Sequence, residues 1–187
     1  MDGSYPTSLL GLANIIELLL LGGGFISVCI ASTGWAQLVD LISKNSTTQS
    51  DQTVFYDVDA YSVKQADQAI LMIIFGLTLF TFLAHILLGL RNKFSWRRIS
   101  VGLGLLCILY SLCLFGISVV VACWEDKLRR IMTSTYLGNQ FWPTPNGIVK
   151  PQTGAAAAAA TFGFAASVLF LGESLIRFRK LGDKSNT

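Results

Sequence analysis

The chain has 187 residues, of which 52% are hydrophobic and only 13% charged, and its formal net charge is +3. That charge is too small to suggest nucleic-acid binding, and loops left over between long apolar runs are too short to bury a soluble core of their own. The expectation is one domain, residues 1–187, lying in a membrane.

Four stretches are long and apolar enough to cross a bilayer, roughly residues 9–32, 69–90, 99–123 and 154–176. A helix needs about 20 mostly apolar residues to span a hydrocarbon core about 30 Å thick. Backbone polar groups in lipid must be satisfied within the segment, so each stretch reads as a helix. The fold class is therefore an all-α membrane protein, a four-transmembrane-helix bundle.

The first span is preceded by residues 1–8, which contain no Lys or Arg but do contain Asp2. That flank and the length of the run predict a retained span, not a cleaved signal peptide. Within it Asn14 and Glu17 stand three apart and share a helix face, with Gly24 two turns on. Gly22, Gly23 and Gly24 form a small-residue patch suited to close helix packing.

The first long connection, about residues 33–68, gathers Asp40, Asp51, Asp57, Asp59 and Asp67 and contains the sequon Asn45-Ser46-Thr47. The acids read as a solvated surface, and Asn45 as a glycosylation site if this loop is outside. In the second span Thr78, Thr81 and His85 follow helical spacing. The short connection that follows carries Arg91, Lys93, Arg97 and Arg98 with no acid.

The third span contributes Gly102, Gly104, Ser111 and Ser118 as packing positions. Trp124 closes it as an interfacial anchor, and Trp35 and Trp96 read the same way. The second long connection, about 124–153, contains the aromatic, turn-prone stretch Phe141–Gly147, which reads as lying on its own bilayer or touching a partner in the opposite membrane, the former favoured. The fourth span opens with Gly154 and six alanines, and Ala155, Ala159, Gly163 and Ala166 give it small-xxx-small spacing. Glu173 lies one turn before Arg177, and Arg179 and Lys180 follow.

Of the 14 Lys and Arg residues, eight fall on the side that holds both termini and the middle connection. This bias predicts both termini in the cytosol. Arg91, Lys93, Arg97, Arg98, Arg177, Arg179 and Lys180 would then form an inner patch that attracts anionic lipid. On this topology Glu17 lies roughly 13 Å, His85 roughly 9 Å and Glu173 roughly 6 Å from the inner ends at 1.5 Å per residue. Asn14, Glu17, His85 and Glu173 are thus expected to meet as an intramembrane polar cluster, serving as interhelical glue or as a proton- or ligand-linked site. Cys29, Cys107, Cys113 and Cys123 all fall within spans or at their ends; Cys29 and Cys123, both near outer ends, are placed to pair or, as read here, to stay buried free thiols. With one histidine and no Cys-x-x-Cys, no metal site, no cofactor and no enzymatic activity are expected.

Two segments carry a family resemblance. Glu17–Ser32 has an inner polar residue, a mid-span glycine patch and an Ala-Ser exit. Ala158–Lys180, AAATFGFAASVLFLGESLIRFRK, has an alanine-rich entry, a Phe-Gly-Phe, a Leu-Phe-Leu core and a basic exit. Both resemble the first and last spans of the MARVEL-domain family, especially its myelin-and-lymphocyte and plasmolipin branch. The first outer loop is longer than is usual in that branch. The resemblance implies a role in membrane apposition, cholesterol-rich domains, vesicle trafficking, cell junctions or cell fusion, at the plasma membrane or on secretory vesicles. An insect member of comparable size acts in myoblast fusion. Claudin-like and tetraspanin-like plans fit less well, since no cysteine stands in either long loop.

Three functions follow as expectations. The first is a non-enzymatic protein that organises or apposes membranes, with bilayer lipid, cholesterol, anionic lipid and further copies of itself as partners. The second is an auxiliary subunit of a larger channel, transporter or junction complex. The third is a small proton-linked transporter working through Glu17, His85 and Glu173.

Overall fold

A computed structural model describes residues 5–45, 58–88, 96–134 and 154–183. Among these there are four α-helices and no strand: α1 (Leu9–Asn45), α2 (Val58–Leu88), α3 (Trp96–Ser134) and α4 (Ala155–Asp183). Each contains one stretch able to span a membrane: Leu9–Ala31, Val63–Leu87, Ile99–Trp124 and Ala155–Arg179. The chain is thus built as an integral, multi-pass membrane protein.

The helices outrun the expected spans. The two long connections, read from sequence as beginning at residue 33 and at residue 124, are partly helical: α1 continues to Asn45, α2 begins at Val58 and α3 continues to Ser134. Hydropathy marks where lipid contact stops, whereas a helix stops where its backbone meets a breaker. No proline interrupts any of these extensions.

One stripe of every helix is buried, at alternating steps of three and four. In α1 it runs Leu10, Asn14, Glu17, Leu21, Gly24, Val28, Ala31. In α2 it runs Lys64, Asp67, Leu71, Ile74, Thr78 and His85, and in α3 it includes Ser100, Gly104, Cys107, Leu114, Ser118 and Val121. In α4 the stripe is wider, with Ala159 and Ala160, Ala166 and Ser167, and Glu173 and Ser174 buried as neighbouring pairs. The width follows from position: α4 packs on α3 most extensively and on α1 next, while α1 also holds α2. The seam between α2 and α3 is the thinnest in the ring.

Lipid tails are as apolar as leucine, so these seams depend on close packing and hydrogen bonds. Leu21, Leu71, Leu114 and Phe170 fill the middle of the bundle, and Tyr110 meets Phe170 edge-on at 5.4 Å. Nearer the Trp124 end, Ala31, Val121, Ala156 and Ala160 form a second apolar cluster. Outward faces carry large apolar side chains such as Leu19, Ile73, Phe80, Leu112, Val168 and Leu175.

The small residues read as packing positions sit differently: Gly102 is exposed with nothing near it, while others line the seams. Gly23 of α1 lies against the Phe162 ring of α4, and Gly24 against the Phe162 β-carbon and Leu71 of α2. Gly22 stands further off, its nearest neighbour being Phe75. Gly163 lies against Ser118 so closely that a β-carbon would collide with its hydroxyl. Ala159 is buried, but Ala155 is only half-buried, because the seam passes through Ala156. Gly154 precedes α4 with φ of 110°, a left-handed conformation that glycine adopts without strain, and its carbonyl accepts the first helical bond from the Ala158 N–H.

Candidate functional site: a buried polar cluster

The polar cluster forms at one end of the bundle, where the start of α1, the end of α2, the start of α3 and the end of α4 meet. Asn14, Glu17, His85, Glu173 and Arg177 are all buried there, and Glu17 has no exposed surface. Each lies on the seam stripe of its helix, so helical periodicity alone turns it inward.

Glu173 is the best-partnered member. The Asn14 Nδ2 of α1 donates to its Oε2 at 3.1 Å and also to the Leu10 carbonyl at 3.0 Å. Arg177, one turn further along α4, donates to Oε1 from Nε at 2.8 Å and from Nη2 as well. This ion pair is made within a single helix and is almost completely buried. Arg177 was expected in the anionic-lipid patch. Its guanidinium faces inward and is committed to Glu173, so it does not belong there. Arg179 is exposed, as that patch requires. Arg91 and Lys93, and the side chains of Arg97, Arg98 and Lys180, lie outside the described residues.

Glu17 differs from Glu173. It lies beside the Glu173 carboxylate and within the field of Arg177, yet neither of its oxygens has a hydrogen-bond partner. His85 completes the predicted set but is not bonded to either acid. Its Nδ1 contacts the Thr81 carbonyl at 2.7 Å, and the Thr81 hydroxyl donates to the Thr78 carbonyl at 2.9 Å. A carbonyl only accepts, so Nδ1 carries the hydrogen. Nε2 has no partner.

The group that sequence reasoning missed is Tyr5. It precedes α1 and folds back over this end of the bundle, its ring stacked on His85 with centroids 4.5 Å apart and planes 10° from parallel. Phe82 flanks it at 6.0 Å. Ser8 fixes the turn: its Oγ donates to the Tyr5 carbonyl at 2.6 Å and accepts the Gly11 N–H at 3.1 Å, a helix N-cap. Gly11 permits this fold-back, since a β-carbon there would strike the Tyr5 carbonyl oxygen. Burial pushes the Tyr5 hydroxyl up to about 12. The signal in the sequence was the Tyr5-Pro6-Thr7-Ser8 turn ahead of an apolar helix.

A cavity of about 10 Å³ opens within the cluster, lined on its polar side by Asn14, Thr78, Thr81, Tyr110, Glu173 and Arg177. The Thr78 Oγ1, Tyr110 hydroxyl and Arg177 Nη1 are buried without partners. Such a space holds about one water molecule, and a polar water site needs two to four partners.

A smaller polar group occupies the opposite end. Lys64 and Asp67, read from sequence as loop residues, lie in α2 and are buried. The Lys64 Nζ donates to the Ala31 carbonyl of α1 at 2.8 Å and sits 4.5 Å from the centre of the Trp124 ring of α3. Trp124 is therefore half-buried under a cation and does more than anchor the interface. The four cysteines are free, as expected, but Cys113 and Cys123 face outward and only Cys107 is fully buried. Asn45 ends α1; its side chain, Ser46 and Thr47 lie outside the described residues, as does Phe141–Gly147. Among the described residues no group of three His, Cys, Asp or Glu side chains is placed to hold a metal ion.

Comparison with protein-family models, with curated proteins and with solved structures finds no match to this chain.

Proposed function

We propose that this is a non-enzymatic four-span membrane protein that organises or apposes membranes, with both termini in the cytosol. The observation that carries this reading is where its surface lies. In the most apolar window of each helix, only 33%, 22%, 33% and 39% of residues are buried within the chain's own bundle. Much of the remainder, Leu19, Ile73, Phe80, Leu112 and Val168 among it, is apolar surface offered sideways, to lipid or to neighbouring membrane proteins, while the bundle centre is filled by Leu21, Leu71, Leu114 and Phe170. The resemblance of Glu17–Ser32 and Ala158–Lys180 to MARVEL-domain spans points the same way and suggests vesicle, junction or fusion membranes. Cholesterol-rich domains, anionic lipid and further copies of the chain are the partners this reading names. The inner patch is Arg91, Lys93, Arg97, Arg98, Arg179 and Lys180, without Arg177.

The test is gentle-detergent purification of the tagged protein from its native cells, with crosslinking and mass spectrometry of protein and lipid. Recovery alone or as a homo-oligomer, carrying sterol and anionic lipid, supports membrane organisation. Recovery with one stoichiometric larger membrane partner replaces it with the auxiliary-subunit reading. Neutralising the six patch residues should release the anionic lipid; unchanged lipid content and localisation would remove the patch from the proposal.

A further inference from the structure

The polar cluster contains two carboxyl groups and one guanidinium. Arg177 spends Nε and Nη2 on Glu173, and Asn14 spends its amide there too. Glu17, fully buried beside them, is left with two bare oxygens. An ionised carboxylate in that condition is among the costliest groups that a membrane interior can hold. Protonation removes the charge and converts one oxygen into a donor that faces the ionised Glu173.

We propose that Glu17 and Glu173 form a binding site for one exchangeable proton, held on Glu17 as a carboxylic acid against the arginine-paired Glu173. The groups around the site do not supply a second positive charge in its place. From α1 and the turn before it come Asn14 and Tyr5, and from α3 come Cys107 and Tyr110. From α2 come Thr78 and His85, whose Nδ1 is used on Thr81 and whose Nε2 has no acceptor to hold a second N–H. From α4 comes Arg177, already paired. The cavity beside Glu173 has room for a single water, in reach of the Glu173 half of the site. With the proton bound the cluster is neutral. Without it, two carboxylates share one guanidinium across the α1–α4 seam. This inference is independent of the membrane-organising reading and survives its failure.

The experiment is infrared spectroscopy of the full-length protein in lipid nanodiscs at neutral pH, in H₂O and in D₂O. The expected result is a protonated-carboxyl C=O band, well above the carboxylate bands, that shifts downward in D₂O and is lost in Glu17→Gln. Glu17→Asp keeps a band at a displaced position, so a folding defect in one variant does not leave the question open. Absence of the band in the wild-type protein, its persistence in Glu17→Gln, or its failure to shift in D₂O would each overturn the proposal.

Discussion

A methyl group placed on Gly163 lands on the Ser118 hydroxyl across the α3–α4 seam. Gly163→Ala should therefore destabilise the bundle by about 1–3 kcal/mol, the usual cost of overpacking a filled interface. Gly172→Ala, where nothing stands within 4 Å of the added carbon, should be close to neutral. Pairing Gly163→Ala with Ser118→Ala should recover most of the loss, and thermal unfolding of the wild type, the Gly163→Ala and Ser118→Ala single variants and their double in one detergent measures the coupling. Tyr5 offers a pH readout at the same scale. Its hydroxyl is raised from 10.0 to about 12, so the unfolded chain ionises there first and the folded form retains the proton. Stability should fall as pH rises from about 10 to about 12 and should not recover above that range. Tyr5→Phe should lack this decline, as a tyrosinate absorbance titration run beside the melts would show.

At the scale of the element, Glu173 and Arg177 make α4 self-neutralising, and removing one partner differs from removing both. Arg177→Leu alone leaves a buried carboxylate with only Asn14, a change that typically costs about 3–5 kcal/mol. Adding Glu173→Gln should restore much of that stability, because the uncompensated charge is gone. A double variant no more stable than Arg177→Leu would show that Arg177 matters for shape and not charge. Between helices the links are weaker. The Ser111 and Ser167 hydroxyls meet at 3.1 Å and the Ser167 hydroxyl also donates to the Ser111 carbonyl at 3.0 Å. Ser167→Ala should cost about 0.6 kcal/mol, the mean for interhelical hydrogen bonds in a membrane bundle.

For the whole molecule, the four spans were legible because lipid demands length and apolarity together, and no other class of segment meets both. The seam stripes were legible in part: Asn14, Glu17 and Gly24 share a face by spacing, and their burial follows. Glu17 and Glu173 were placed together by depth counting, since polar groups in the same inner half of a small bundle must turn inward and have few places to go. Arg177 was misread because a basic residue near a span end usually snorkels to the interface; the turn that pairs it with Glu173 outweighed that tendency. Helix ends were misread at Asn45, Val58 and Ser134 because hydropathy reports on solvent and not on backbone hydrogen bonding. Tyr5 was overlooked because its partner, His85, is eighty positions away and only the folded turn at Ser8 brings them together.

Ribosomes release this chain from its start, so α1 enters the bilayer long before α4 exists. The intrahelical pair means that α4 arrives with its counter-charge one turn away and needs no waiting partner to cross. Glu17 has no such companion. During synthesis it must stand in lipid, or in the shelter of the insertion machinery, until the last helix docks and supplies Glu173 and Arg177 as neighbours. Nascent chains cut before α4 should thus retain α1 at the insertion site, and Glu17→Leu should let it depart early.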